Sequence, residues 1–447
     1  MKTNSFSRKK SQNKENIILG NLVTKNINKL ARACEYTKRS NGKISPKSLI
    51  LGFMLMVSKQ RNTYSDWAIE IGLLENTTIT KQSLNGRMTS QTEYFIMKVV
   101  EQQLHKKIQP TLTKKIKGVL KHFNTIQIED STTLGLPDEL KEEFPGSVSM
   151  GEKKAQAKIH AMYNLTENNF SFLHIHSFCN NDQSLAAHAL PYLQKRDLNI
   201  RDLGFLVLDA IEEFITKEIY FISRKNYGTK IYDIKTGAEI NLVKQLRKRN
   251  FFDKEVLIGK KQQQKVRLIA ISVPDAQANE RKRKARTNRD KRLNHSKEFY
   301  ELLDYSVYIT NIRHEQCSAD DIFNLYKLRW RIEIVFKSWK GCFSLEKLIH
   351  RQCTNLVRVK CMIYLMLLYI YLFHVVWWRH CQDQMEKEQS QSELSILKMA
   401  SFFRQHFMEL ITQKSDRKLM EQIKIHCVYN NRKDRDNAKQ FEFKLAA

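Results

Sequence analysis

Tyr326, Arg329, Glu333 and Lys340 recur at helical spacing. On a helix turning about 100° per residue they fall at about 0°, −60°, −20° and −40°, a single narrow stripe. Leu328, Ile332, Val335, Phe336 and Trp339 fall on the opposite side. One continuous helix through Lys340 can therefore bury an apolar face and present a phenol, a guanidinium, a carboxylate and an ammonium together. Alone, such an Arg–Glu pair is an ordinary surface feature worth about 0.2–0.5 kcal/mol. Two further carboxylates give the stripe a chemical use. Asp130 closes the apolar-rich run Thr125-Ile126-Gln127-Ile128-Glu129, and Asp202 precedes Leu203-Gly204-Phe205. Three carboxylates on separate rigid elements supply the hard oxygen ligands that phosphoryl transfer needs from a pair of Mg²⁺ or Mn²⁺ ions. Such ions, ~4 Å apart, serve the attacking and leaving oxygens.

Other candidates read differently. Glu129 must point to the face of its strand opposite Asp130. Asp209 heads Ala210-Ile211-Glu212-Glu213 and reads as a helix cap. His174-Ile175-His176 sets two imidazoles on one strand face, a pattern more often found at a surface or in a satisfied core than around a metal.

The elements that must hold these residues follow from periodicity. The 447 residues suggest about two to four structural units, and an apolar content of 42% excludes wholesale disorder. Residues 1–17 form a polar tail. Residues 18–118 carry helical periodicity, and 65–88 suggest two short helices about Gly72, a loose helix-turn-helix for reading DNA. Residues 119–228 hold short β-like runs, three of them a meander, and begin an α/β core. Residues 229–300 read as a β-rich insertion with a basic segment, 301–385 as the second part of the core, and 386–447 as a helical tail. In 281–292, eight of twelve residues are basic, Lys282, Arg283 and Lys284 among them.

Lys plus Arg number 76 against 47 Asp plus Glu, a net charge of +29. That excess favours a polyanionic partner through counterion release, nucleic acid first. Arg224 is a further candidate for DNA contact, with a structural ion pair as the plain alternative. Scattered cysteines without a CxxC pair suggest a reducing, cytoplasmic setting. Residues 361–378 are eighteen in a row without an acidic or basic residue other than His374; they read as a helix buried in a large domain, and no membrane is expected.

The chain resembles bacterial insertion-sequence transposases that carry an Asp-Asp-Glu triad on a ribonuclease-H-like mixed sheet with flanking helices, together with a Tyr-Arg-Glu-Lys signature. The resemblance rests on Tyr326, Arg329, Glu333 and Lys340, on Ile128-Glu129-Asp130-Ser131-Thr132, and on Asp202-Leu203-Gly204-Phe205. Ile219–Arg224, Gly228-Thr229-Lys230 and Tyr308-Ile309-Thr310-Asn311 add to it. It implies cleavage at transposon ends and strand transfer into target DNA, through a hairpin intermediate, with two ions per active site held by Asp130, Asp202 and Glu333. It implies that Arg329 and Lys340 clamp terminal phosphates and that Tyr326 positions the backbone beside a flipped base. Tyr305 stands nearest to the tryptophan on which the family stacks that base. A homodimer on terminal inverted repeats, in the bacterial nucleoid, is the implied assembly. A protein of this fold that binds specific DNA without cutting it is the competing expectation.

Overall fold

The computed structural model describes residues 27–38, 42–104, 118–149, 151–180, 182–205, 207–261, 263–287, 295–388, 392–412 and 417–429. The tail at 1–17 lies outside them. Two compact units emerge, one combining Met1–Gln103 with Ser338–Tyr429 and one built on Leu104–Lys337. The expected core segment 301–385 is thus divided at Ser338.

The second unit is organised on one ten-stranded mixed sheet. Its strands are β1 (Ile126–Leu136), β2 (Pro145–Ser149), β3 (Glu152–Asn164), β4 (Asn169–Ser177), β5 (Leu198–Arg201), β6 (Tyr220–Arg224), β7 (Ile231–Tyr232), β8 (Phe251–Ile258), β9 (Gln264–Ser272) and β10 (Tyr305–Thr310). The order is β2-β3-β1-β5-β6-β10-β9-β8-β7, with β4 also on β3. The meander is β1, β3 and β4, with the unforeseen hairpin strand β2 inserted before β3. β5 and β6 then add in parallel to β1. The run 229–300 holds β7, β8 and β9, and β9 pairs antiparallel with β10, so these strands continue the sheet. The physical reason is shared burial: Val266, Leu268 and Ala270 enter the same core as Phe221 and Ile309.

Registers fix which side chains share a face. Ile128 lies beside Ile200, Ile200 beside Ile222, and Arg224 beside Tyr308. Strand alternation then places Asp130, Ile128, Ile222, Arg224 and Tyr308 on one face and Glu129, Arg201, Asn199 and Phe221 on the other. Just past β10, the Asn311 side chain replaces a missing peptide unit: its Oδ1 accepts Phe221 N–H at 3.0 Å and its Nδ2 donates to Ile219 O at 2.7 Å.

After β10, Ser318 caps the helix Ala319–Lys327 in a reciprocal capping box with Asp321. The helix expected to run on to Lys340 is interrupted. Leu328 and Arg329 form a turn before the helix Trp330–Lys337, and a π-helical segment follows at Ser338–Cys342. Through the break the N–H groups of Leu328, Arg329, Arg331 and Ile332 reach back three residues instead of four. This tightening changes the phase of the stripe.

In the other unit, the helix Pro46–Ser58 is buried along nearly its whole length. The two short helices of the 65–88 region are Tyr64–Glu75 and Lys81–Gly86, and they join at Asn76, which is left-handed (φ 50°), not at Gly72. Gly72 lies inside the first helix. A Cβ there would come within 2.7 Å of Thr77 O, so the glycine admits the returning chain. The apolar segment belongs to the helical run Leu356–Met385, 89% buried within the protein over its most apolar stretch. Tyr369 packs on Phe343, Phe403 and Phe407. His374 has its pKa pushed down to about 3 by burial and accepts Trp339 Nε1–H at 3.1 Å. Protein surrounds this helix where lipid would surround a span.

Candidate functional site

Asp130 is the fifth residue of β1 and lies within the strand rather than at its end. The parallel register Glu129–Arg201 sets Asp130 level with Asp202, the first residue past β5. Both carboxylates therefore stand just past the point where the parallel pairing of β1 with β5 ends, and the helix Trp330–Lys337 carries Glu333 to them.

Arg329, on the turn between the two helices, joins all three. Its Nη1 lies 3.4 Å from Asp130 Oδ2, its Nε 4.0 Å from Asp202 Oδ1, and its Nη2 donates to Glu333 Oε1. Tyr326 is 7% exposed and donates its hydroxyl to Asp202 Oδ1 at 3.2 Å. Asp130 Oδ1 accepts Ser131 N–H at 2.8 Å. The side chains of Asp202 and Glu333 are 43% and 36% exposed, against 19% for Asp130, so the cluster opens toward solvent on one side.

The electrostatics follow from this crowding. Burial pushes the Asp130 carboxyl up to about 7; the Asp202 and Glu333 charges add to the rise, while Ser131 N–H and Arg329 oppose it. Burial works against the Arg329 cation, but Tyr326, Asp202 and Glu333 outweigh it and its pKa rises. Burial, then the Asp202 charge, raises the Tyr326 hydroxyl, which stays a donor. Among the described residues, the His/Cys/Asp/Glu group whose ligand atoms all lie within 4.8 Å of one another is His174, His176 and His188. The three carboxylates are spread wider, around the guanidinium.

Lys340 does not share this unit. It lies in the π-helical segment Ser338–Cys342 and its Nζ is 3.3 Å from Glu346 Oε1. Tyr305 is placed on the opposite sheet face, three residues from Tyr308, with its hydroxyl donating to Asn250 Oδ1 at 2.6 Å and its ring against the core there. Parity along the strand excludes it from the carboxylate face. Lys282 pairs with Asp304, and Arg283 and Lys284 pair with Glu280. Among the described residues none of these three contacts the carboxylates; residues 288–294 of the basic run lie outside the description.

Arg224 is on the carboxylate face beside Tyr308, and among the described residues it forms no ion pair. Tyr308, which had no assigned role, packs on Tyr326 at 4.8 Å between ring centres. The period-two pattern of Tyr305–Thr310 carried that signal. Asp182 was also missed. Its Oδ1 accepts Ser131 Oγ–H at 3.1 Å and Lys158 Nζ at 2.9 Å, and a Cβ on Gly204 would meet its Oδ2 at 2.8 Å. It braces the residue after Asp130 and the turn after Asp202 at once.

The decoys resolve cleanly. Glu129 is fully buried on the far face, accepting Arg201 Nη2 at 2.6 Å and facing His160 Nε2 at 3.1 Å. Asp209, expected to cap its helix, instead lies inside the first turn of Leu208–Thr216, whose N-cap is Val207.

Residues 121–372 match the family described as "Transposase DDE domain". The chain is 29% identical over 356 residues to the transposase for insertion sequence element IS231F of Bacillus thuringiensis subsp. israelensis, covering 75% of this chain and 73% of that protein. It is 25% identical over 364 residues to the transposase for insertion sequence element IS1151 of Clostridium perfringens, covering 76% and 75%. Among solved structures, a piggyBac transposase synaptic complex with hairpin DNA aligns at a TM-score of 0.48 and 8% identity, over 96% of this chain and 84% of that one.

Proposed function

Given that this chain belongs to the DDE-domain transposase family, we propose that it cuts DNA at the ends of an insertion sequence and joins those ends to a target, with Asp130, Asp202 and Glu333 as the catalytic residues. The single observation carrying this reading is the convergence of the three side chains, from β1, the end of β5 and the helix after β10, on one guanidinium. The meander followed by two parallel strands supports a ribonuclease-H-like core.

The donor set suits Mg²⁺ or Mn²⁺, which take hard oxygen ligands. Burial and two neighbouring charges make ionised Asp130 costly, so added positive charge there is favourable. Asp130, Asp202 and Glu333 would hold two ions, and the chemistry those ions supply is activation of the attacking oxygen and stabilisation of the leaving one. The chain's own residues do the rest. Tyr326 orients Asp202 through its hydroxyl. Arg329 offsets the mutual repulsion of the carboxylates and, once phosphate arrives, offers a planar two-pronged donor for it. Arg224 lies on the same face to meet the DNA backbone, and Lys340 adds a further phosphate contact. The pathway we propose is cut-and-paste through a hairpin at the transposon end, carried out by a homodimer on paired terminal repeats in the nucleoid.

The test uses the purified full-length chain and DNA carrying the inverted repeats that flank its gene. Wild type should nick and hairpin the ends with Mg²⁺ or Mn²⁺, on denaturing gels, and bind them as a two-protomer complex by light scattering. Glu333→Gln should bind with little change and not cut. Binding without any nicking by the wild type, with either ion, would establish a DNA-binding protein of this fold instead.

A further inference from the structure

β4 and the segment after it carry a cluster that the carboxylate chemistry does not use. The register of β3 with β4 sets His174 opposite His160 and His176 opposite Lys158, and β1 sets Ser131 opposite His160. All these side chains share the sheet face of Glu129, away from Asp130. Over that face runs the 3-10 helix Ala186–Tyr192, which delivers His188. Each of the three rings offers a nitrogen within 4.8 Å of the other two. The ring centres of His174 and His176 are 6.0 Å apart, and those of His176 and His188 5.4 Å.

We propose that His174, His176 and His188 bind one divalent cation of the Zn²⁺ class, pinning β4 to the segment that leads into β5. Three imidazoles select a borderline metal such as Zn²⁺ over Mg²⁺, which prefers oxygen. Zn–N bonds of ~2.0–2.1 Å imply nitrogens ~3.4 Å apart, against the 4.8 Å within which these three now lie. His188 is exposed and free to make that adjustment.

Two further observations support the site. Nε2 of His176 is buried and has no hydrogen-bond partner among the described residues. A buried polar nitrogen without a partner costs free energy that a metal bond recovers. Tyr192 Oη lies 3.2 Å from His174 Nε2, an outer contact of the kind that orients ligating rings.

The role is structural. The pinned segment includes Asp182, which braces Ser131 and abuts Gly204. Cation binding here is independent of the carboxylate reading, because the two groups lie on opposite faces of the sheet.

The test is direct. The full-length chain, made without an affinity histidine tag and stripped with chelator, is titrated with Zn²⁺ in excess Mg²⁺ by calorimetry, elemental analysis and thermal melting. One equivalent should bind and raise the melting temperature by several degrees. His188→Ala, a surface change whose fold is checked by circular dichroism, should weaken Zn²⁺ binding by at least ~10-fold and remove the thermal shift. Glu333→Gln should leave both intact. Failure to bind Zn²⁺, or undiminished Zn²⁺ binding in the His174→Ala/His176→Ala/His188→Ala protein, would overturn the proposal; the second result would place the metal on cysteines or carboxylates elsewhere.

Discussion

Glu129 and Asp130 are adjacent in sequence and lie on opposite faces of β1, and the protein treats their charges in opposite ways. On one face Glu129 is saturated: Arg201 and His160 bind it, and Arg201 is itself held by Asn199 Oδ1, Phe205 O and Ala186 O and covered by the Phe214 ring. On the other face Asp130 has one backbone donor and a guanidinium shared among three carboxylates. A carboxylate whose needs the protein meets in full is a structural part. One left with surplus negative charge, beside solvent-open neighbours, is prepared for a partner from outside.

The sharpest way to break this contrast is to neutralise each face in turn. Asp130→Asn or Glu333→Gln should lower cleavage on the order of 10³-fold or more while DNA binding and thermal stability hold; gel-shift and nicking assays on one preparation decide it. Arg201→Met should do the reverse. It strands a fully buried carboxylate and should cost about 3–5 kcal/mol in urea unfolding, with cleavage per folded molecule retained. If Arg201→Met instead spares stability and abolishes cutting, the division of labour between the faces is wrong.

A pH series sharpens the same point. The Asp130 carboxyl is raised from 3.8 to about 7. Between those values the folded chain holds a proton that the unfolded chain has released, so this group's contribution to stability falls as pH rises through that window. Divalent ions compete with the proton, so the melting-temperature gain from Mg²⁺ should be larger at pH 8 than at pH 6, and Asp130→Asn should flatten the difference. The smallest effect belongs to Arg224→Ala. It should weaken DNA binding evenly across sequences and reduce the salt-dependence slope by about one.

How much of this was legible depended on the kind of signal. The three carboxylates were readable because each lies in a local pattern: an apolar run, a short turn, a helical stripe. The parity of Glu129 and Asp130 followed from strand geometry alone. β5 was not readable, because Leu198-Asn199-Ile200-Arg201 is too short to show a period and is a strand only because β1 and β6 flank it. The strand that Asp202 follows was therefore absent from the reading of that carboxylate. The stripe failed between Lys327 and Trp330 because a three-residue hydrogen-bond pattern, set by tertiary contacts, reset its phase. The face of Tyr305 was not readable, because it depends on a register shared with β6 and β9 rather than on its own neighbours. Asp182 could not be found at all, since its partners Ser131 and Lys158 are distant in sequence and only folding unites them.

The Asn311 amide reaches across to Phe221 and Ile219, groups 90 and 92 residues away. A slip of β10 by one position would exchange the faces of Tyr308 and Ile309, and it would also leave both of those main-chain groups without a mate. The amide thus acts as a proofreader of alignment: it makes the correct register of two strands distant in sequence cheaper than its nearest error.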